Sequence, residues 1–203
     1  MSPTKNRAAI SSARRKTGKG PCLPFRPTKL ELSRAAGKGL KDVIAPRLRV
    51  LFVGINPGLY SGATGHHFAR PGNRFWPALH AAGFTRRQLH PSEQRELLKS
   101  GFGVTNLVNR ATATADQLDP TEFLAGRQRL AAKIRKNRPH LVAFLGLGAY
   151  RLAFAQPEAR IGRQADKFEG SAVWVLPNPS GLNANYQLGV LTGLFRQVLK
   201  ASR

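Results

Sequence analysis

Acidic residues are scarce in this chain of 203 residues: 10 Asp and Glu stand against 33 Lys and Arg, a formal net charge of +23. A field of that sign and size points to a polyanionic partner, with nucleic acid ahead of an anionic membrane surface. Cysteine is almost absent too. The one thiol, Cys22, excludes an internal disulfide, a Cys-rich zinc site and an iron–sulfur cluster, and it suits a reducing, intracellular setting such as cytoplasm or nucleoid. No apolar run approaches the ~18 residues of a membrane span, and no apolar h-region of a secretory signal follows the start. An apolar fraction of 41% is enough for one domain with a proper core.

What is present divides into two zones. Residues 1–41 carry eleven Lys and Arg against Glu31 alone, and Pro and Gly interrupt them repeatedly. Their apolar residues are scattered, so the zone is expected to be a largely disordered basic arm, suited to sequence-independent contact with phosphates. The first twenty residues, basic, Ser-containing and free of acids, fit an organelle transit peptide as well as such an arm.

From residue 42 the texture is that of a folded domain. Leu48–Gly54 reads as a buried strand, as do Leu141–Leu145 and Ala172–Leu176, with a shorter strand over Gly103–Leu107. Helices are expected after Asn73, from Ser92 to near Gly101 (with Thr85 and Gln88 at capping-box spacing before it), from Thr121 to before Pro139, and over Tyr186–Leu199. Strands alternating with helices imply βαβ units and a parallel sheet, and no internal repeat is present.

Ligands of open α/β sheets bind outside the carboxyl ends of the strands. Two unusual loops fall there: Gly54-Ile55-Asn56-Pro57-Gly58 and Asn178-Pro179-Ser180-Gly181-Leu182. Each puts an Asn just past a buried strand and stiffens its neighbour with Pro, while Gly permits close backbone approach. Taken singly, either loop is also ordinary turn chemistry. Neither G-x-x-x-x-G-K-[ST] nor G-x-G-x-x-G follows the first strand, which argues against a nucleotide-phosphate cradle.

These two loops, with Gly65-His66-His67-Phe68, Pro71-Gly72-Asn73-Arg74-Phe75-Trp76 and Gly103-Val104-Thr105-Asn106-Leu107 between them, resemble in order and spacing the mismatch-specific uracil and thymine DNA glycosylases. The resemblance covers about residues 40–200. It implies an α/β fold, a three-layer α/β/α sandwich with a short central parallel sheet, in a glycosylase domain over 42–203. It implies monofunctional hydrolysis of the N-glycosidic bond of uracil, related damaged pyrimidines or mismatched thymine, flipped out of double-stranded DNA with G:U or similar mismatches. A monomer without metal or cofactor would suffice.

The resemblance also distributes roles. Asn56 would position the attacking water; an amide is a poor proton acceptor, so a dissociative reaction with an anionic leaving base is implied. Ile55, His67, Phe68, Asn106 and Asn178 would surround the base, with Phe68 stacking on it. Gly181, Leu182 and Asn183 would form the wedge and face the orphaned partner base. His66 and His67 are poor metal candidates, because no third and fourth ligand adjoin. No Lys stands in the matched motifs to form a Schiff base with the sugar. Two departures stand out: Asn183-Ala184-Asn185 follows the wedge where Ser and then Arg are common, and Asn109 stands where an acidic residue is common. A non-catalytic nucleic-acid-binding protein of the same fold remains the alternative.

Overall fold

A computed structural model describes residues 26–203. The part of the basic arm before Arg26, Cys22 included, lies outside the described residues.

Among the described residues, five strands form one sheet in the order β2-β1-β3-β5-β4, from β1 (Val50–Gly54), β2 (Phe102–Asn106), β3 (Leu141–Leu145), β4 (Gly162–Arg163) and β5 (Ala172–Leu176). All pairings are parallel except the two-residue β4, which runs antiparallel on the outer edge of β5. The helices are α1 (Lys29–Ser33), α2 (Leu59–Thr64), α3 (Phe75–Ala81), α4 (Pro120–Asn137), α5 (Leu147–Phe154) and α6 (Leu188–Ala201), with 3-10 turns over Pro91–Ser100 and Ala115–Gln117.

The near-continuous apolar runs of β1 and β3 follow from burial on both faces of the sheet. With a side-chain period of two, Val50, Phe52, Leu141, Ala143 and Leu145 join α3 and α6 in one core. Leu51, Val53, Val142, Phe144, Val173 and Val175 join α4 and α5 in the other. That alternation makes the three-layer α/β/α sandwich expected from the motifs. Phe52 centres the first core, edge-on to Phe75 and Phe84 and stacked on Phe195 with ring centroids 5.6 Å apart. The chain leaves β1 toward β2 and later crosses back to β3, so the crevice for a ligand opens at the carboxyl end of β1.

Several local expectations are corrected. Residues 26–41 were grouped with a disordered arm, yet Thr28 and Glu31 close a capping box on α1, and Ala35 and Leu40 are buried. The segment is sewn to the domain by backbone bonds from Gly37 to Ala111 and from Ala111 to Lys38, and Val43 bridges to Val104 along the free edge of β2. Helix α4 is capped two residues earlier than Thr121 suggested: Asp119 is the cap, with Pro120 in the first turn and Glu122 completing the box. The Pro91–Ser100 turn is 3-10 and is capped by His90 rather than Ser92, while the Thr85 hydroxyl donates to the Arg87 carbonyl and starts no helix. Helix α5 was not anticipated. It begins straight from the strand at Gly146, whose φ of 141° lets the chain reverse with no side-chain cap to betray the boundary.

Candidate active site

The loops at the carboxyl ends of β1, β2 and β5 enclose a cleft of about 390 Å³. Ile55, Asn56, His67, Phe68, Asn106, Asn178, Leu182 and Asn183, all singled out in the sequence, line it together. Gly181 does not. A Cβ there would stand 2.6 Å from the Gly72 carbonyl oxygen, so this glycine lets the β5 loop press against the 70–74 loop. The lining contains no Asp, Glu or Lys, and Arg70 is its one permanent cation among the described residues.

The Asn56 amide is fixed by what surrounds its nitrogen. Nδ2 donates to the Arg110 carbonyl at 2.9 Å, to the Pro57 carbonyl at 3.2 Å and to the Thr112 hydroxyl at 2.6 Å. Thr112 spends its own proton on the Thr114 carbonyl, 2.7 Å away. Carbonyls only accept, so the atom facing them must be nitrogen, and Oδ1 is left as an acceptor with no donor among the described residues. The arrangement can hold a water by accepting a hydrogen bond from it. Behind it, Arg110 forms a forked pair with Glu122 at 2.8 and 2.7 Å. That pair holds the half-buried Glu122 carboxyl at about 2, chiefly through Arg110 and then through the Asp119 backbone.

Phe68 adopts a left-handed backbone, φ 53°, a cost of about 1–3 kcal/mol for a bulky residue that only surrounding packing can impose. Its ring stacks on the buried Phe75 with centroids 4.1 Å apart, and Phe68 lines the cleft. Gly54 makes room: a Cβ there would lie 2.6 Å from Asn106 Oδ1 and 3.1 Å from the Phe68 ring.

His67 is 1% exposed, and burial pushes its imidazole below the ordinary histidine range, against the opposing pull of the Lys41 carbonyl and the Asp42 carboxylate. Nε2 lies 3.2 Å from the Lys41 carbonyl, so the neutral ring carries its proton there and Nδ1 is left to accept. Asn106 Nδ2 meets that Nδ1 at a long 3.4 Å, which turns Asn106 Oδ1 toward Gly54 and the cleft floor. Lys133, bonded to Asp42 at 2.7 Å and to Thr105 Oγ1 at 3.1 Å, closes the network behind the histidine. His67 thus orients Asn106 as well as lining the wall.

The β5 loop is tied by its own polar atoms. Asn178 Oδ1 accepts from the Ser180 amide at 3.0 Å, Ser180 Oγ accepts from the Leu182 amide at 3.3 Å, and Asn183 Nδ2 donates to the Asn178 carbonyl at 3.0 Å. Leu182 stands 67% exposed at the tip.

Sequence reasoning missed Leu40, Thr112 and the use of Asn109. Asn109 Oδ1 accepts from the Leu40 amide at 2.7 Å while its Nδ2 donates to the Leu40 carbonyl at 3.0 Å, and Leu40 lines the cleft. A carboxylate could accept but not donate, so the amide in place of an acidic residue is what pins residues 39–40 here. The partners lie 69 positions apart, and no local pattern announces them.

A sequence model of the uracil DNA glycosylase superfamily matches residues 41–201. The chain belongs to the uracil DNA glycosylase superfamily. Superfamily membership supports DNA glycosylase activity in general. Among solved structures, the chain is similar to a solution NMR structure described as a candidate uracil DNA glycosylase from Methanosarcina acetivorans. The two share 18% identity with a TM-score of 0.54, over 80% of this chain and 98% of the other, a likeness of fold. No described helix is long and apolar enough to cross a membrane.

Proposed function

We propose that the protein is a monofunctional DNA glycosylase. It hydrolyses the N-glycosidic bond of uracil, and of related damaged pyrimidines or mismatched thymine, in duplex DNA, and so starts base excision repair. The observation that carries the reading is the locked Asn56 amide, its free Oδ1 set in a cleft that holds an aromatic side chain and four further amides but no carboxylate.

The chemistry follows from that inventory. The bond between the sugar's anomeric carbon and the base nitrogen breaks first, and the base departs with the electron pair. Asn56 Oδ1 holds a water against the cationic sugar; oxygen adds to the anomeric carbon, and the proton it sheds ends on the base or in solvent. An amide cannot take that proton in a strong general-base step, so turnover is slow and favours good leaving groups. With no Lys in the cleft lining, hydrolysis leaves an intact abasic site and no Schiff-base lyase step. Phe68 supplies a stacking face tolerant of base identity, and the acceptor Asn106 Oδ1 suits a ring N–H donor such as that of uracil. Leu182 fills the gap left in the stack. The net charge of +23 supplies sequence-independent affinity for duplex DNA, with residues 1–25 extending the grip, and a monomer suffices for flipping one base.

The test is incubation with a duplex carrying a single U opposite G, followed by alkali. Strand breaks at the U are expected. None at stoichiometric protein would overturn the catalytic reading in favour of a non-catalytic DNA-binding protein.

A further inference from the structure

Arg74 has no role in the chemistry above, yet no other cation among the described residues is bonded in the same way. Its Nη1 donates to three main-chain carbonyls of the segment after β5: Ser180 at 3.1 Å, Asn183 at 2.8 Å and Tyr186 at 3.3 Å. Its Nη2 reaches Gln187 Oε1 at 3.3 Å, and its own backbone amide donates to the Pro179 carbonyl at 2.9 Å. One residue therefore touches the segment at five points between 179 and 187.

What this segment lacks explains the need. It holds no Asp or Glu from residue 171 to the end, so no side-chain carboxylate can hold the guanidinium, and its carbonyls take that place. Leu182 is 67% exposed, and its amide donates to Ser180 Oγ at 3.3 Å within the same loop. Close approach of Gly181 to the Gly72 carbonyl locks the two loops at the same seam. Asn183, one of the acceptors, also grips the Asn178 carbonyl through Nδ2, so the tip and the cleft wall are one hydrogen-bonded body.

We propose that Arg74 is the positioning residue of the wedge: its guanidinium, seated on the carbonyls of Ser180, Asn183 and Tyr186, holds Leu182 raised for entry into the base stack and couples that insertion to Asn178 in the pocket. The inference rests on the glycosylase reading. Holding an apolar tip out in water costs free energy that a loose loop would recover by folding it inward; a preorganised loop leaves less ordering to be done on the DNA. The planar fork matters, because a lysine ammonium is a point charge that cannot span carbonyls so spaced. The arrangement also gives the departure after the wedge a use. Where Arg is common in the resembling family, this chain has Asn183-Ala184, and its loop is braced from below by Arg74.

The test compares the unaltered protein, Arg74→Lys and Arg74→Met under single-turnover conditions on three substrates: U in single-stranded DNA, U opposite G and U opposite A. A 2-aminopurine beside the U reports flipping. Both variants should lose ten-fold or more on the two duplexes, most with U opposite A, and under three-fold on the single strand, with the flipping signal reduced in step. Arg74→Lys guards against a charge or folding effect, since it keeps the cation. Equal losses on single and double strands, or no loss on duplexes, would overturn the wedge role while leaving the glycosylase reading intact. Absence of excision by the unaltered protein on every substrate would overturn the glycosylase reading, and this role with it.

Discussion

Asn56→Asp is the smallest change that tests the amide lock, because shape is kept and only donor capacity is lost. In the native site Nδ2 faces the carbonyls of Arg110 and Pro57 at 2.9 and 3.2 Å. An ionised carboxylate would set oxygen against both. Thr112 could turn its hydroxyl toward the carboxylate, but only by abandoning the Thr114 carbonyl it now serves at 2.7 Å. Leaving buried acceptors without donors costs about 1–3 kcal/mol each. The site is half-buried and water can reach part of it, so the total is set at the low end, about 2 kcal/mol. At about 1.4 kcal/mol per unit, that raises the carboxyl above its usual ~3.9 in the folded protein. The protonated acid can donate to the Arg110 carbonyl as the amide does. A folded value above the unfolded one means that the variant's full stability is present below about pH 3.9 and is lost as pH rises through the raised folded value. Denaturant melts of variant and unaltered protein should nearly coincide at pH 4 and differ by about 2 kcal/mol at pH 8. A variant that matched the unaltered protein at pH 8, or gained on it as pH rose, would refute the lock.

Asn56→Ala should abolish excision in a single-turnover assay while binding to duplex DNA, followed by anisotropy, stays nearly unchanged; full activity would remove Asn56 from the chemistry. Leu182→Ala should weaken binding to the abasic product and slow excision from well-paired duplexes more than from single strands, and equal losses on both would argue against a wedge. Asn109→Asp removes the donor to the Leu40 carbonyl, a loss of about 1–3 kcal/mol, read as a lower melting temperature at about 2–4 °C per kcal/mol; an unchanged melting temperature would deny the clamp. His67 sits below its usual value through burial. Its stabilising contribution is therefore complete above about pH 6.5 and is lost as pH falls through the lowered folded value. Denaturant melts across that range should show an acid-side decline that His67→Gln flattens.

The fold was legible where burial dictates sequence. Strands buried on both faces are apolar throughout, so β1 and β3 announced themselves, as did the mostly buried, wholly apolar Ala172–Leu176, and the ends of β1 and β5 marked the loops that carry Asn56 and Asn178. Legibility failed where the signal is shared or distant. Net charge masked the Thr28–Glu31 capping box, so the start of the ordered chain was set too late. At α4, Asp119 and Thr121 are both competent caps, and the pairing with Glu122 decides between them only once the geometry is fixed. At α5 an apolar strand runs into an apolar helix through Gly146, and periodicity cannot divide them.

The candidate site shows the same division one level higher. The residues that face the cleft sit in short contiguous motifs, and the sequence alone places them at strand ends. What makes them chemical is long-range. Thr112 and Arg110 tell the Asn56 amide which way to turn, Lys41 sets the His67 tautomer that turns Asn106, and Arg74 braces the loop that carries Leu182. Each of these contacts has a backbone carbonyl or a single hydroxyl on one side, groups that leave little mark in a sequence. An amide has two ends of similar shape and opposite hydrogen-bonding character, so a site built on Asn56, Asn106 and Asn178 is only as specific as the groups that hold those ends in place. The departures at Asn109 and Asn183 follow from that logic. Each contributes a donor and an acceptor at once, which the acid common in place of Asn109 could not, and each donates to a carbonyl of the cleft wall, Asn109 to Leu40 and Asn183 to Asn178.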